Sequence, residues 1–309
     1  MNAPDSFPRF NLSEWSTRQL ADIERALSGW VACPKEAPAP AGLGDAMRYA
    51  VLDGGKRLRP LLVMAACEAV GGNADAALRS ACAVELIHAY SLVHDDMPCM
   101  DNDVMRRGKP TVHVKFGEAQ ALLAGDALQA LAFEFLTPDD GSVDSATQAR
   151  LCRILAKAAG FQGMAGGQAI DLASVGMPLS SGQLHEMHRL KTGALLQASV
   201  MMGSHCGAVS SPVLDALACY GAAVGLAFQV MDDILDVTAD SATLGKTAGK
   251  DAAQDKPTFV SLMGLEPSKA YAQQLLTGAL DSLGRVEAAG LHNTDALRAL
   301  ADMLVNRRH

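Results

Sequence analysis

Apolar residues recur at three- and four-residue steps along most of the chain, and this spacing restricts the fold more than any other feature. It runs through LSEWSTRQLADIERAL, RPLLVMAACEAV, ALRSACAVELIHAYSLVHDD, EAQALLAGDALQALAFEFL and AYAQQLLTGALDSLG. On a helix such positions form one stripe that must be buried against a neighbour. No segment sustains a period of two with β-branched enrichment, so strands are not expected. The interruptions are short: CPKEAPAPAG at 33–42, GGNAD at 71–75, TPDDGS at 137–142 and GMPLSSG at 176–182. None resembles an interdomain linker, and no internal repeat is evident. The expectation is a single all-α domain over residues 1–309, of roughly ten or more helices, with frayed ends.

The chain is 49% hydrophobic and 19% charged, which allows a sizeable core without disulfides. Aromatic residues are only 5%, a balance that suits close-packed helices. Seven cysteines cannot all pair and show no CxxC spacing, so reduced, buried thiols are expected. A net charge of −8 disfavours nucleic acid or an anionic membrane surface as partner, but leaves room for small anions held by local basic clusters. MNAPDSFPRF lacks the apolar core of a signal peptide, and stretches such as YGAAVGLAF fall short of the roughly 18 residues of a membrane span. A cytoplasmic protein without a membrane span is expected.

Two aspartate clusters interrupt this apolar background. In DDILD, Asp232 and Asp236 are spaced i, i+4, so a continuous helix carries both carboxylates on one side. Unpartnered like charges at that spacing oppose each other, which calls for a cation. Carboxylate oxygens are hard ligands, so Mg²⁺ is favoured over zinc. In DDMPCMD, Asp95 and Asp101 are six apart and fall on different faces of an ideal helix. Pro98 disfavours unbroken helix there. A helix ending near Asp96, then a turn returning Asp101 to Asp95, is the expected solution. The alternative for either cluster is a solvated acidic helix end.

Basic segments accompany both clusters. GGKRLRP (54–60) joins two glycines, three cations and a proline suited to a helix's first turn, a combination that favours an anion. RRGKPTVH (106–113) follows the first aspartates; Lys246, Lys250 and Lys256 follow the second. Mg²⁺ bridging carboxylates to a diphosphate, with Lys and Arg holding the remaining oxygens, would use such an arrangement.

Together with IHAYSLVHDD, GGQAIDL, HRLKTGALL, FQVMDDILDV and LGKTAGKDAAQDKPT, these motifs give the chain a resemblance to the short-chain trans-isoprenyl diphosphate synthases, most closely the bacterial farnesyl diphosphate synthases. The resemblance covers nearly the whole chain. It implies an all-α bundle around a deep central cavity, a homodimer, and head-to-tail joining of an allylic diphosphate to isopentenyl diphosphate with release of pyrophosphate. Carried onto this sequence, it implies that Asp95 and Asp101 bind two Mg²⁺ ions and Asp232 a third, with Asp96 and Asp236 acting at second shell or through water. Arg106, Lys191 and Lys246 would hold the allylic diphosphate, and Thr192 and Gln229 would line the reacting end. Lys56, Arg59, His88 and Arg107 would hold isopentenyl diphosphate, and Lys256 would help close the site. Gln168 and Asp171 could touch the site or merely bridge helices. Met105 and Met231 stand where leucine and a polar residue are common in the family.

Product length has its own signal. Ser91 lies one turn below Asp95 on the same helical face, with Tyr90 beside it, about 7–8 Å deeper along the axis. In the resembling family an aromatic residue there accompanies a fifteen-carbon product. The expectation is farnesyl diphosphate; geranylgeranyl or geranyl diphosphate is the alternative. A class I terpene cyclase would not need GGKRLRP or RRGKPT. A His-Asp phosphohydrolase reading of His94-Asp95 leaves DDILD unexplained, and a silent partner subunit would typically lose one motif.

Overall fold

A computed structural model describes residues 10–32, 39–52, 54–177, 179–238 and 258–306. The helices begin where the sequence supplies caps. Asn11 accepts from the Glu14 amide to start α1 (Leu12–Trp30), and Asn73 accepts from Ala76 to start α4 (Ala74–Asp95). Between them lie α2 (Leu43–Val51) and α3 (Leu58–Val70). After α4 come α5 (Val112–Phe116), α6 (Glu118–Leu136), α7 (Ser145–Ala159), α8 (Met164–Ala173) and α9 (Ser181–His188), the last opened by a Ser180–Gln183 capping box. A π-helical turn, Arg189–Gly193, joins α9 to α10 (Ala194–Ser204). The long α11 (Ser211–Thr238) follows, then α12 (Phe259–Met263), α13 (Leu265–Ala288) and α14 (Asp295–Asn306).

Among the described residues the all-α expectation is met apart from one short hairpin of two two-residue strands. Met105–Arg106 pairs antiparallel with Lys109–Pro110, and Arg107 and Gly108 turn between them with positive φ. It serves to fold RRGKP back on itself.

Apolar side chains collect in two clusters. One gathers the inner faces of α1, α2, α4, α6 and α7; the other gathers α9, α11, α13 and α14. Residues of α3 and α10 enter both: Val63 and Cys67 in the first, Leu61, Leu62 and Ala65 in the second. Buried residues surround α4, from Ala76 to Val93, so its polar C-terminal end is carried on a fixed rod. The helices α4 and α11 are each long and apolar enough to cross a membrane, contrary to the reading of the apolar stretches. Most of each apolar window is buried within the protein, as in a core helix.

Candidate active site

The end of α4 is built as its proline suggested. The helix stops at Asp95, and the chain turns so that the Asp101 amide donates to the Asp95 carbonyl at 2.8 Å and the Asp103 amide to the Asp96 carbonyl at 3.1 Å. Asp95 and Asp101 are thereby neighbours. Burial pushes the Asp95 carboxyl up to about 6; Lys191 opposes that shift and the Asp101 charge adds to it. Asp96 points elsewhere. It is buried and takes a forked pair from Arg106: Nε at 2.8 and 3.0 Å, Nη2 at 2.5 Å.

At the end of α11 the aspartates also divide. Asp233 is buried, accepting from Gln229 Nε2 at 2.9 Å and from the Phe259 amide at 2.8 Å. Gln229 in turn accepts from the Thr192 hydroxyl at 3.0 Å. Asp232 is half-buried, and Asp236 is buried with Oδ1 lacking a hydrogen-bond partner.

The Lys191 charge acts on Asp95 and on His188, and His188 also feels Asp171 and Asp232. Lys191 Nζ bonds Asp171 Oδ2 at 2.6 Å. The π-helical turn that carries Lys191 and Thr192 presses so closely on α8 that a Cβ on Gly167 would sit 2.1 Å from the Lys191 amide nitrogen. Asp171, one turn beyond Gly167 and Gln168 in GGQAIDL, thus bridges α8 to the turn that carries Lys191. Gln168 also reaches the site. Its buried amide lines the main cavity, with neither Nε2 nor Oε1 hydrogen-bonded.

That cavity, about 410 Å³, runs between α4, α8 and the π-helical turn. It brings together Arg59, His88, Tyr90, Ser91, Asp95, Lys191 and Thr192 from the sequence-derived set. Tyr90 stacks edge-on against His94 at 5.7 Å, and Ser91 bonds back to the His88 carbonyl at 2.9 Å. His94 turns its Nε2 toward α6, 3.1 Å from the Leu122 carbonyl.

The two arginines of GGKRLRP have opposite fates. Arg57, in the left-handed region with φ 46°, is almost wholly buried and saturated. It bonds Glu24 at 2.7 Å, Glu85 at 2.6 Å and the Val51 carbonyl at 2.6 Å. Arg59, two residues on, faces the cavity with its buried Nε lacking a partner. Burial lowers its guanidinium to about 10, Glu85 opposing and Arg107 adding to the effect. Arg107 reaches back from the hairpin to the Gly54 carbonyl at 2.6 Å, over Gly55, where a Cβ would meet its guanidinium at 2.9 Å. His88 is held neutral, first by burial and then by the charges of Arg59, Arg107, Arg106 and Arg57.

Not every expected residue lines this cavity. Arg106 and Arg107 border a smaller one on another side of α4, with Tyr49, Asp96 and Lys109. Lys56 is exposed on the glycine loop. Lys246, Lys250 and Lys256 lie outside the described residues. Among the described residues no three His, Cys, Asp or Glu side chains converge into a complete metal cage.

An all-helical frame with two acidic helix ends, a basic glycine loop and a cavity shared by Arg59, Asp95 and Lys191 is that of a short-chain prenyl transferase. The chain belongs to the Polyprenyl synthetase family, whose pattern matches residues 40–289. It is 52% identical over 277 residues to a probable farnesyl diphosphate synthase of Bradyrhizobium diazoefficiens, covering 87% of this chain and 81% of that one. It is 49% identical over 250 residues to the large subunit 1 of a heterodimeric geranylgeranyl pyrophosphate synthase of Arabidopsis thaliana, covering 79% and 67%. Among solved structures, an FPP/GFPP synthase from Zymomonas mobilis superposes with TM-score 0.83 at 41% identity, covering 96% and 99%. A geranyltransferase from Helicobacter pylori, complexed with magnesium and isoprenyl diphosphate, gives 0.81 at 36% identity, covering 98% of each chain.

Proposed function

We propose that this prenyl transferase condenses isopentenyl diphosphate with dimethylallyl and then geranyl diphosphate, giving farnesyl diphosphate and pyrophosphate. The observation that carries the product assignment is Tyr90, whose ring borders the same cavity as Asp95, Lys191 and Thr192. A tail growing from the reacting end along α4 meets that ring after about a turn and a half of helix. The relatives' names include both farnesyl and geranylgeranyl synthases, so the length gauge is what separates them.

The donor set fits Mg²⁺. All its atoms are hard oxygens, Asp236 Oδ1 is buried without a partner, and the crowded Asp95–Asp101 pair gains from a cation. An incomplete cage suits an ion that shares its remaining positions with substrate diphosphate. Asp95 and Asp101 would hold two ions and Asp232 a third, with Asp236 acting through water; when bound, the ions stabilise charge on the departing diphosphate.

The protein's own groups account for the rest. Lys191, oriented by Asp171, holds the allylic diphosphate with Arg106, which Asp96 fixes in place. Lys246 joins them, and Lys256 helps close the site. Arg59, Arg107, Lys56 and neutral His88 hold isopentenyl diphosphate. Breaking the allylic C–O bond leaves a carbocation, and the Thr192–Gln229 pair presents oxygen atoms near it. The new C–C bond forms at that carbon, and the proton lost afterwards goes to the departing pyrophosphate, so no side-chain base is assigned. The same reading carries a single domain and a cytoplasmic homodimer; Leu122 and Leu123, 47% and 51% exposed on α6, offer apolar surface for the latter.

Tyr90→Ala tests the gauge. Products dephosphorylated and sized should extend to twenty carbons or beyond. An unchanged fifteen-carbon profile would remove Tyr90 as the floor. Hydrocarbon formed from farnesyl diphosphate alone, without isopentenyl diphosphate, would favour the cyclase reading instead.

A further inference from the structure

Away from the site, at the opposite ends of α3 and α10, two cysteines meet. Cys67 lies in the last turn of α3, and Cys206 lies in the turn that leaves α10. The backbones approach closely here because glycines replace side chains. A Cβ on Gly203 would lie 2.1 Å from the Val63 carbonyl oxygen and 3.0 Å from the Cys67 amide nitrogen. A Cβ on Gly72 would lie 2.9 Å from Cys67 Sγ and 2.8 Å from the Cys206 carbonyl carbon. Asn73 spans both residues: its amide donates to the Cys206 carbonyl at 2.8 Å, and its carbonyl accepts from the Cys67 thiol at 3.5 Å.

We propose that Cys67 and Cys206 form a modification site, a reversible disulfide that ties the end of α3 to the end of α10. Both thiols are buried beside turns that reach the surface: Gly71 and Ala208 are exposed, and His205 and Gly207 are half-buried. The neighbouring Cys206 sulfur holds the Cys67 thiol below its ordinary value against the effect of burial, while the same neighbour and burial raise Cys206, whose thiol donates to the Met202 carbonyl at 3.2 Å. Cys67 is therefore the attacking sulfur. Its thiolate displaces one thiolate from a small disulfide oxidant, forming a mixed disulfide. Cys206, losing its proton, then attacks the Cys67 sulfur and releases the second thiolate. Two protons and two electrons leave the pair, and the oxidant becomes two thiols. The link spans helices whose other ends present Arg59 and the Lys191–Thr192 turn, so its effect is to hold those supports together.

The test is oxidation of the full native chain with glutathione disulfide, followed by alkylation and peptide mapping without reduction. The expected result is a peptide pair joining Cys67 to Cys206, a loss of two hydrogens, reversal by dithiothreitol, and a thermal midpoint raised by roughly 5 °C. Cys67→Ser and Cys206→Ser should each abolish both the link and the rise. The exposed Cys99 and Cys219 serve as internal controls for oxidant strength. If both are fully modified while Cys67 and Cys206 still alkylate, or if either links to a different cysteine, the proposal is overturned.

Discussion

The ends of α4 and α11 each present a pair of adjacent aspartates, and in both the second member is surrendered to the fold. Asp96 is clamped by Arg106, while Asp233 is held by Gln229 and the Phe259 amide. The first members, Asp95 and Asp232, remain only half-buried. The ends differ in what does the holding. At α4 the holder is another charge, and the chain turns back through backbone bonds to complete the group with Asp101. At α11 the holders are uncharged, and they tie the aspartate to Thr192 in the π-helical turn. The first end is organised around a charged clamp and a backbone turn; the second is organised around an uncharged chain that reaches the π-helical turn.

The largest effects should come from the outward members. Asp95→Ala and Asp232→Ala are each expected to lower kcat/KM by about 10³-fold or more, with no fall in thermal midpoint. Loss of stability alongside activity would mean that these carboxylates also hold the fold. Arg57→Met should cost about 3–5 kcal/mol of folding free energy in denaturant titration, because Glu24 and Glu85 lose their buried partner. Arg59→Met should leave that midpoint unchanged or raised, and should act on the KM for isopentenyl diphosphate by about tenfold or more.

The inward members should behave differently from their neighbours. Asp96→Asn and Asp233→Asn are expected to cost about 1–3 kcal/mol of stability each. Asp233→Asn should lower kcat more than KM, since Gln229 and Thr192 lose their anchor. Equal effects on kcat from Asp232→Asn and Asp233→Asn would erase the division of labour.

A smaller effect tests the burial of His188. Burial lowers its imidazole to about 4, partly offset by Asp171. The unfolded chain therefore binds a proton below about 6.5 that the folded chain refuses, so stability falls as pH drops from 6.5 toward 4. His188→Gln should remove about 1 kcal/mol of the stability lost between pH 7 and 5.5. Identical pH slopes would show that burial does not shift His188.

Much of this was legible in the sequence. The helical periods, the proline turn at Pro98 and the i, i+4 spacing within DDILD all follow from local geometry. What escaped was the direction of each polar group. Arg57 and Arg59 look alike in GGKRLRP, and only long-range packing against Glu24 and Glu85 makes one a clasp and leaves the other facing the cavity. Local spacing does not separate Asp96 or Asp233 from its neighbour either, because Arg106 and Phe259 lie ten and twenty-six residues away; only the family resemblance set Asp96 apart from Asp95. Asp171 needed the contact between α8 and the π-helical turn, which local periodicity does not announce. The hairpin at 105–110 is too short to leave a pattern of two.

The most direct measurement is incubation of the purified enzyme with Mg²⁺, isopentenyl diphosphate and each allylic primer in turn, followed by sizing of the dephosphorylated products. The account predicts turnover with dimethylallyl and geranyl diphosphate, stopping at fifteen carbons. A predominantly twenty-carbon product would contradict the role given to Tyr90, and no turnover with any primer would contradict the reaction itself.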